Sequence, residues 1–287
     1  MWHPTTTTTT THPTPSASQN SWIIKESINK MGNSIFITMD KVLLSLLIHC
    51  VVTIPPVNAL TCSAEVGSDF SMVDADGGQI LTIKTDNSVH RWCNFRWLPV
   101  EGTIKYVSVN GSVIFALRLD GTIMRYLGGT WVTAFPVYQS NFVVVKKKDT
   151  MIIVNLLNSV YCGAFNQAHP TYIVGITVGL LLQLVACGLH DCWGISPAGT
   201  IIYLDTNTCT SNGVSYSYGR MFVNLDVGDD DTVYAITSTG ELFKSVGVGT
   251  SIISWQHLLA GTLFKHVSVD GDNLWLITQD GKLMFCE

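Results

Sequence analysis

Residues 106–126 read YVSVNGSVIFALRLDGTIMRY. The run Tyr106-Val107-Ser108-Val109 ends at Asn110-Gly111, and a second apolar run, Ile114-Phe115-Ala116-Leu117, ends at Asp120-Gly121. A third run, Ile123-Met124-Arg125-Tyr126, closes on an aromatic residue. Asn-Gly and Asp-Gly between β-prone runs are strong hairpin signals, because the tightest hairpin turns need positive φ that Gly and Asn tolerate. The stretch therefore reads as a three-strand meander. Its Asp-Gly turns are assigned to backbone geometry and not to chemistry.

The same order recurs along the chain. Ser71 to Ala75, turn Gly77-Gly78, Ile80 to Ile83, turn Asp86-Asn87 and Val89 to Trp92 form a first copy. Val73 and Val107 stand 34 positions apart, as do Trp97 and Trp131. Val223 to Phe243 and His266 to Cys286 repeat the pattern as a fifth and a sixth unit, while a third (Val143 to Cys162) and a fourth (Leu184 to Leu204) are more diverged. A meander of this size cannot bury both its faces alone, and radial stacking of copies buries them. The expectation is an all-β chain forming a six-bladed β-propeller. The apolar segment Tyr172 to Leu189 approaches the length of a membrane helix, but Gly175, Thr177, Gly179 and Gln183 interrupt it. It falls where the repeat needs the outer strand of unit three and the inner strand of unit four, so it reads as buried strands and no membrane span is expected.

Charged residues make up only 13% of the 287 residues and the formal net charge is −5. The longest basic run is Lys146 to Lys148, which is no nucleic-acid footprint. No Gly-x-Ser-x-Gly elbow, phosphate-cradling loop or His-Glu-x-x-His is present, and the chain is not expected to be an enzyme.

The first 59 residues differ in kind. Residues 1–38, with the run Thr5 to Thr11, lack hydrophobic periodicity and read as a low-complexity or non-native extension, translation then starting at Met39 or Met31. Residues 39–59 carry one lysine, an apolar stretch from Val42 to Val52 and a terminal Ala59, which is the plan of a secretory signal peptide. Cleavage there leaves residues 60–287, the propeller domain, as a secreted chain. Seven cysteines remain, namely Cys62, Cys93, Cys162, Cys187, Cys192, Cys209 and Cys286. In an oxidising compartment they read as a disulfide framework with one thiol left free or paired between chains, which would permit a homodimer.

Units ending in Trp shortly before Pro (Trp97-Leu98-Pro99, Trp131 to Pro136) resemble the fish-egg-lectin family of tectonin-type repeats. So do the stretch Cys187 to Gly194, the opening Leu60-Thr61-Cys62 and the closing Phe285-Cys286-Glu287. The resemblance spans about residues 60–287. It implies a six-bladed tectonin propeller, secreted into egg or plasma. It further implies a lectin that binds galactose or N-acetylglucosamine-type glycans on microbial or egg surfaces, in innate defence or egg biology. A protein-interaction propeller without a sugar site is the alternative. A ring must hold its last blade to its first. Leu60 to Val66 can supply the outer strand of the last blade, so that Cys62 and Cys286 form a clasp. Cys187 and Cys192 flank a short turn and can bridge it. Cys162 with Cys209 is a weaker third pairing, which leaves Cys93 odd.

Sugar sites set an aromatic face against the apolar side of the ring and let polar groups take the hydroxyls. Trp92, Trp97, Trp131 and Trp255 are the aromatic candidates, with Asn94, Asn110 and Asp272 as polar ones. Packing between blades is the competing role for each tryptophan. Asp229, Asp230 and Asp231 are candidate calcium ligands by their hard oxygens, though a solvated acidic loop is the commoner use of such a run. No other cofactor is expected. Asn110-Gly111-Ser112 is the N-glycosylation sequon of the mature chain.

Overall fold

A computed structural model describes residues 60–64, 67–146, 150–164, 176–206, 208, 210–248 and 251–287. The extension 1–38, the signal-peptide segment 39–59 and Cys209 lie outside the described residues. All described residues fall in one compact unit, Leu60–Glu287.

The hairpins read from the turns are present, and they join into antiparallel meanders. A short strand, β1 (Cys62–Ala64), precedes the first meander: β2 (Phe70–Asp76), β3 (Gln79–Lys84), β4 (Ser88–Cys93) and β5 (Arg96–Asn110). β5 has two halves. Residues 96–103 pair with β4, and residues 104–110 begin the second meander with β6 (Val113–Arg118) and β7 (Thr122–Leu127). β8 (Thr130–Lys146) repeats the device, pairing first with β7 and then with β9 (Thr150–Asn155). The third meander continues through β10 (Ser159–Ala164) to β11 (Ile176–Leu181). The fourth holds β12 (Leu184–Cys187), β13 (Cys192–Ile195), β14 (Ile201–Asp205) and β15 (Thr210–Ser215), and the fifth holds β16 (Phe222–Val227), β17 (Val233–Thr237), β18 (Leu242–Val248) and β19 (Ser251–Leu258). The sixth is β20 (Phe264–Asp270), β21 (Asn273–Thr278) and β22 (Leu283–Cys286), and β1 completes it from the other end of the described chain. The segment that resembled a membrane helix supplies β11 and β12, as its β-branched residues and glycines predicted.

One backbone bond repeats at every junction between units. The amide at the start of each inner strand donates to the carbonyl of a left-handed residue in the preceding unit's second turn. The pairs are Ile104 to Asn87, Ser140 to Gly121, Leu182 to Asn158, Phe222 to Gly199, Phe264 to Gly240 and, closing the ring, Phe70 to Gly281, all at 2.7–3.1 Å. The six acceptors are Asn or Gly at φ between 63° and 92°, a backbone region that costs other residues about 1–2 kcal/mol. The recurring turns are therefore conformational. At Gly121 a Cβ would also stand 3.1 Å from both the amide nitrogen and the carbonyl of Ser140.

Apolar side chains fill the space between facing sheets. Met72, Leu81 and Ile83 of unit one pack on Val107, Ile114 and Ala116 of unit two. Phe70 and Val73 meet Trp275, Ile277 and Leu283 across the closing seam. The inner strands are covered on both faces, which is why they read as nearly continuous apolar runs.

Two disulfides lie on these ladders. Cys62 is bonded to Cys286 across β1 and β22, 224 residues apart, beside paired backbone bonds between Thr61 and Glu287. Cys187 and Cys192 bridge the β12–β13 hairpin. Cys162 is disulfide-bonded, and its expected pairing with Cys209 lies outside the described residues. Among the described residues Cys93 is a free thiol, half-buried on β4.

Candidate functional site

The outer strands of units one, two and five each lay a tryptophan over the start of their own inner strand. Trp97 lies 5.9 Å from Phe70 between ring centroids, and Trp255 lies 4.8 Å from Phe222. Trp131 packs with the cluster that holds Ile104. Phe70, Ile104 and Phe222 are equivalent, since each carries the junction amide described above. Units one and two also repeat a cross-strand aromatic pair. Trp92 faces Trp97 and Tyr126 faces Trp131, each pair at 4.9 Å with interplanar angles of 56° and 57°.

The tryptophan of unit two borders a sizeable cleft. Its volume is about 310 Å³, at the lower end of the range for small-ligand sites. Trp131, Met124 and Ile104 form its apolar side, and Glu101, Arg118 and Thr130 bring polar groups to it. Glu101, Arg118 and Thr130 are exposed, whereas Ile104 and Met124 are buried. Gly102 lets the backbone approach the indole. A Cβ there would stand 3.1 Å from the Trp131 Cδ1 and 3.3 Å from its Nε1. Among the described residues the Nε1 groups of Trp131 and Trp97 are buried without a hydrogen-bond partner, an expensive state for a donor. The Trp255 Nε1 instead donates to the Tyr216 carbonyl at 2.7 Å.

The other candidates fall elsewhere. Asn94 is exposed in the β4–β5 turn at φ 50°, and Asp272 is exposed in the β20–β21 turn. Asn110 ends the inner half of β5, half-buried, and its Nδ2 donates to the Val145 carbonyl at 3.3 Å. Asp230 caps its own turn by accepting from the amide and hydroxyl of Thr232. Asp231 accepts from the His190 amide and pairs with the His190 ring at 2.8 Å. Asp229 lines a small axial pocket with Asp76 and Asn110.

A second polar centre carries no motif of its own in the sequence. Along the inner strands, a side chain of one unit accepts the backbone amide of the next. Asp74 takes Val109 at 2.5 Å, Asp76 takes Gly111, Ser108 takes Val145, Asn224 takes Val267, Asp226 takes Val269 and Ser268 takes Ala75. Asp74 and Asp226 converge on the Ser268 hydroxyl beside a cavity of about 30 Å³, shared with Tyr106 and His266. That volume is on the order of one water molecule. Burial, and then the charge of Asp226, push the Asp74 carboxyl well above the usual range, and burial raises Asp226 to about 7. Burial holds the His266 imidazole down at about 4, so it is neutral. The signal for this centre was the alternation Met72-Asp74-Asp76, which sets carboxylates in a core-facing register.

The tectonin-domain profile matches residues 69–279. The fish-egg lectin of Cyprinus carpio is 28% identical over 145 residues, which is 46% of this chain and 60% of the lectin. The chain thus spans about 60% of the length of that curated relative. Among solved structures, YCF48 bound to D1 peptide superposes with a TM-score of 0.54 at 8% identity, covering 79% of this chain and 96% of the other. The WD40 β-propeller domain of Doa1 gives 0.54 at 10% identity, over 79% and 95%. At these identities the likeness is one of fold, the β-propeller.

Proposed function

Because the chain belongs to the tectonin-domain family, we propose that it is a carbohydrate-binding lectin whose site is the cleft at Trp131. The observation that carries this reading is the pairing of an indole with an adjoining apolar wall and exposed polar groups in one concavity. A pyranose has an apolar face and a polar rim, and the cleft offers both complements. Trp131 would take the C–H face above a floor formed by Met124 and Ile104, while Glu101, Arg118 and Thr130 would take hydroxyls. The likeness to the fish-egg lectin supports binding of a sugar, and galactose- and N-acetylglucosamine-ended glycans are the ligands proposed. Binding without chemistry is the reading, since no activity need be invoked for such a cleft.

Secretion belongs to the same proposal. Disulfides of this kind persist in oxidising compartments, and both ladder-bridging pairs are of that structural type. A role in defence or egg biology, on microbial or egg-surface glycans, is the proposed setting. The test is a glycan array with the purified chain, with and without calcium, beside its Trp131→Ala variant. Binding to galactose- or N-acetylglucosamine-ended glycans, competed by free sugar and lost in the variant, supports the reading. A blank from the disulfide-intact chain, or undiminished binding by the variant, removes it. A blank array also shifts the reading to a protein-binding propeller.

A further inference from the structure

The three equivalent tryptophans differ in what lies beneath them. In units one and five a phenylalanine ring rests against the indole, Phe70 under Trp97 and Phe222 under Trp255. In unit two the same position holds Ile104, and there the 310 Å³ cleft opens. All three side chains are almost wholly buried, at 1%, 2% and 0% exposure, so the difference is one of shape and reach and not of exposure. A flat ring fills the space along an indole face. A branched aliphatic side chain of smaller reach leaves part of it free.

The approach to each tryptophan differs in the same sense. A Cβ on Gly67 would stand 2.8 Å from the Phe70 ring, so the backbone before β2 already closes over that ring. In unit two, Gly102 brings the backbone against the indole edge, and its neighbours Glu101 and Thr103 line the open cleft.

We infer that the side chain at the junction position gates sugar access to the tryptophans of units one, two and five, and that Ile104 leaves the cleft at Trp131 open. This rests on the Trp131 cleft being a sugar site. It adds which residue decides that, and why Trp97 and Trp255, alike in sequence, serve as packing. The scaffold recurs in units one, two and five, and the junction side chain switches it on or off.

The test is calorimetric titration of the full chain with galactose and, separately, N-acetylglucosamine. Ile104→Phe is expected to weaken binding roughly tenfold or more, the effect of removing one well-packed anchoring contact, with the thermal transition retained. Phe70→Ile is expected to add a second site, because Trp97 is held in the same cross-strand aromatic pair as Trp131. If Ile104→Phe does not fold, Ile104→Met, which also reaches further into the cleft, is expected to weaken binding in the same direction. Wild-type affinity in the folded Ile104 variant, with binding lost in Trp131→Ala, overturns the gate and leaves the cleft reading intact. Unchanged stoichiometry in folded Phe70→Ile overturns the gate for unit one. No binding by the unmodified chain, or full binding by Trp131→Ala, removes the cleft reading and the gate with it.

Discussion

The hydroxyl of Ser268 stands 3.0 Å from the Asp226 carboxylate, joining unit six to unit five at the axis. The same oxygen accepts the Ala75 amide of unit one at 2.9 Å, and Asp74 lies 3.3 Å away. Ser268 has one proton to give. When it goes to Asp226, the contact with Asp74 is a hydrogen bond only if Asp74 is itself protonated.

Stability against pH tests that arrangement. Both carboxyls are raised by burial, Asp226 to about 7, from an unfolded value near 3.9. The folded state then binds more protons than the unfolded one, so this contribution is complete below about pH 4 and is lost as pH rises through the folded values. His266 works the other way, because its depressed value, about 4, costs stability as pH falls below about 6.5. The clean window is therefore about pH 6.5 to 8. Stability is expected to fall there with rising pH, by at most about 1.4 kcal/mol per unit for each proton lost. Asp74→Asn, which keeps an acceptor for Val109 and supplies a permanent donor to Ser268, is expected to flatten the slope. Urea titrations at several pH values measure it, and an unaltered slope in the variant refutes the shared-proton account.

The Cys62–Cys286 clasp closes a loop of 224 residues. Chain entropy assigns such a bridge roughly 5 kcal/mol, as an upper value. Replacing both cysteines by serine is expected to lower the urea midpoint substantially, because β1 is held to β22 by only a three-residue register. A change within error would show that the backbone pairing closes the ring unaided.

Gly121 accepts the Ser140 amide at φ 81°, with no room for a Cβ. Gly121→Ala is expected to cost about 1–3 kcal/mol, from backbone strain and the displaced junction bond together. Gly78, at φ 74° but with nothing within 4 Å of an added Cβ, is the control. Its alanine variant bears the strain alone and is expected to lose less. Equal losses in chemical denaturation would remove the junction from the explanation.

Gly102→Ala places a methyl 3.1 Å from the Trp131 ring. The indole must shift and the backbone at φ 128° is strained, so sugar affinity and stability are both expected to fall. Tryptophan fluorescence and sugar titration read the two effects separately. Full affinity with an unshifted spectrum would place the sugar away from that edge.

Local chemistry made most of the scaffold readable. Asn110-Gly111 and Asp120-Gly121 specify turns through φ alone, strand alternation through neighbours two apart, and the closing strand through a cysteine near each end of the propeller. The run Tyr172 to Leu189 yielded to the same reasoning once its place in the repeat was known. Trp97, Trp131 and Trp255 looked alike because the sequence by itself determined only where a large aromatic would sit on an outer strand. The tertiary structure alone set Trp131 at the border of a cleft, with Ile104 in the position that Phe70 and Phe222 hold beside Trp97 and Trp255. It alone brought Asp74 and Asp226 to one hydroxyl, across units whose inner strands meet only when the ring closes. The physical reason is range: turn and strand preferences act within a few residues, whereas Asp74 meets Val109 35 positions away and Ser268 meets Ala75 193 positions away.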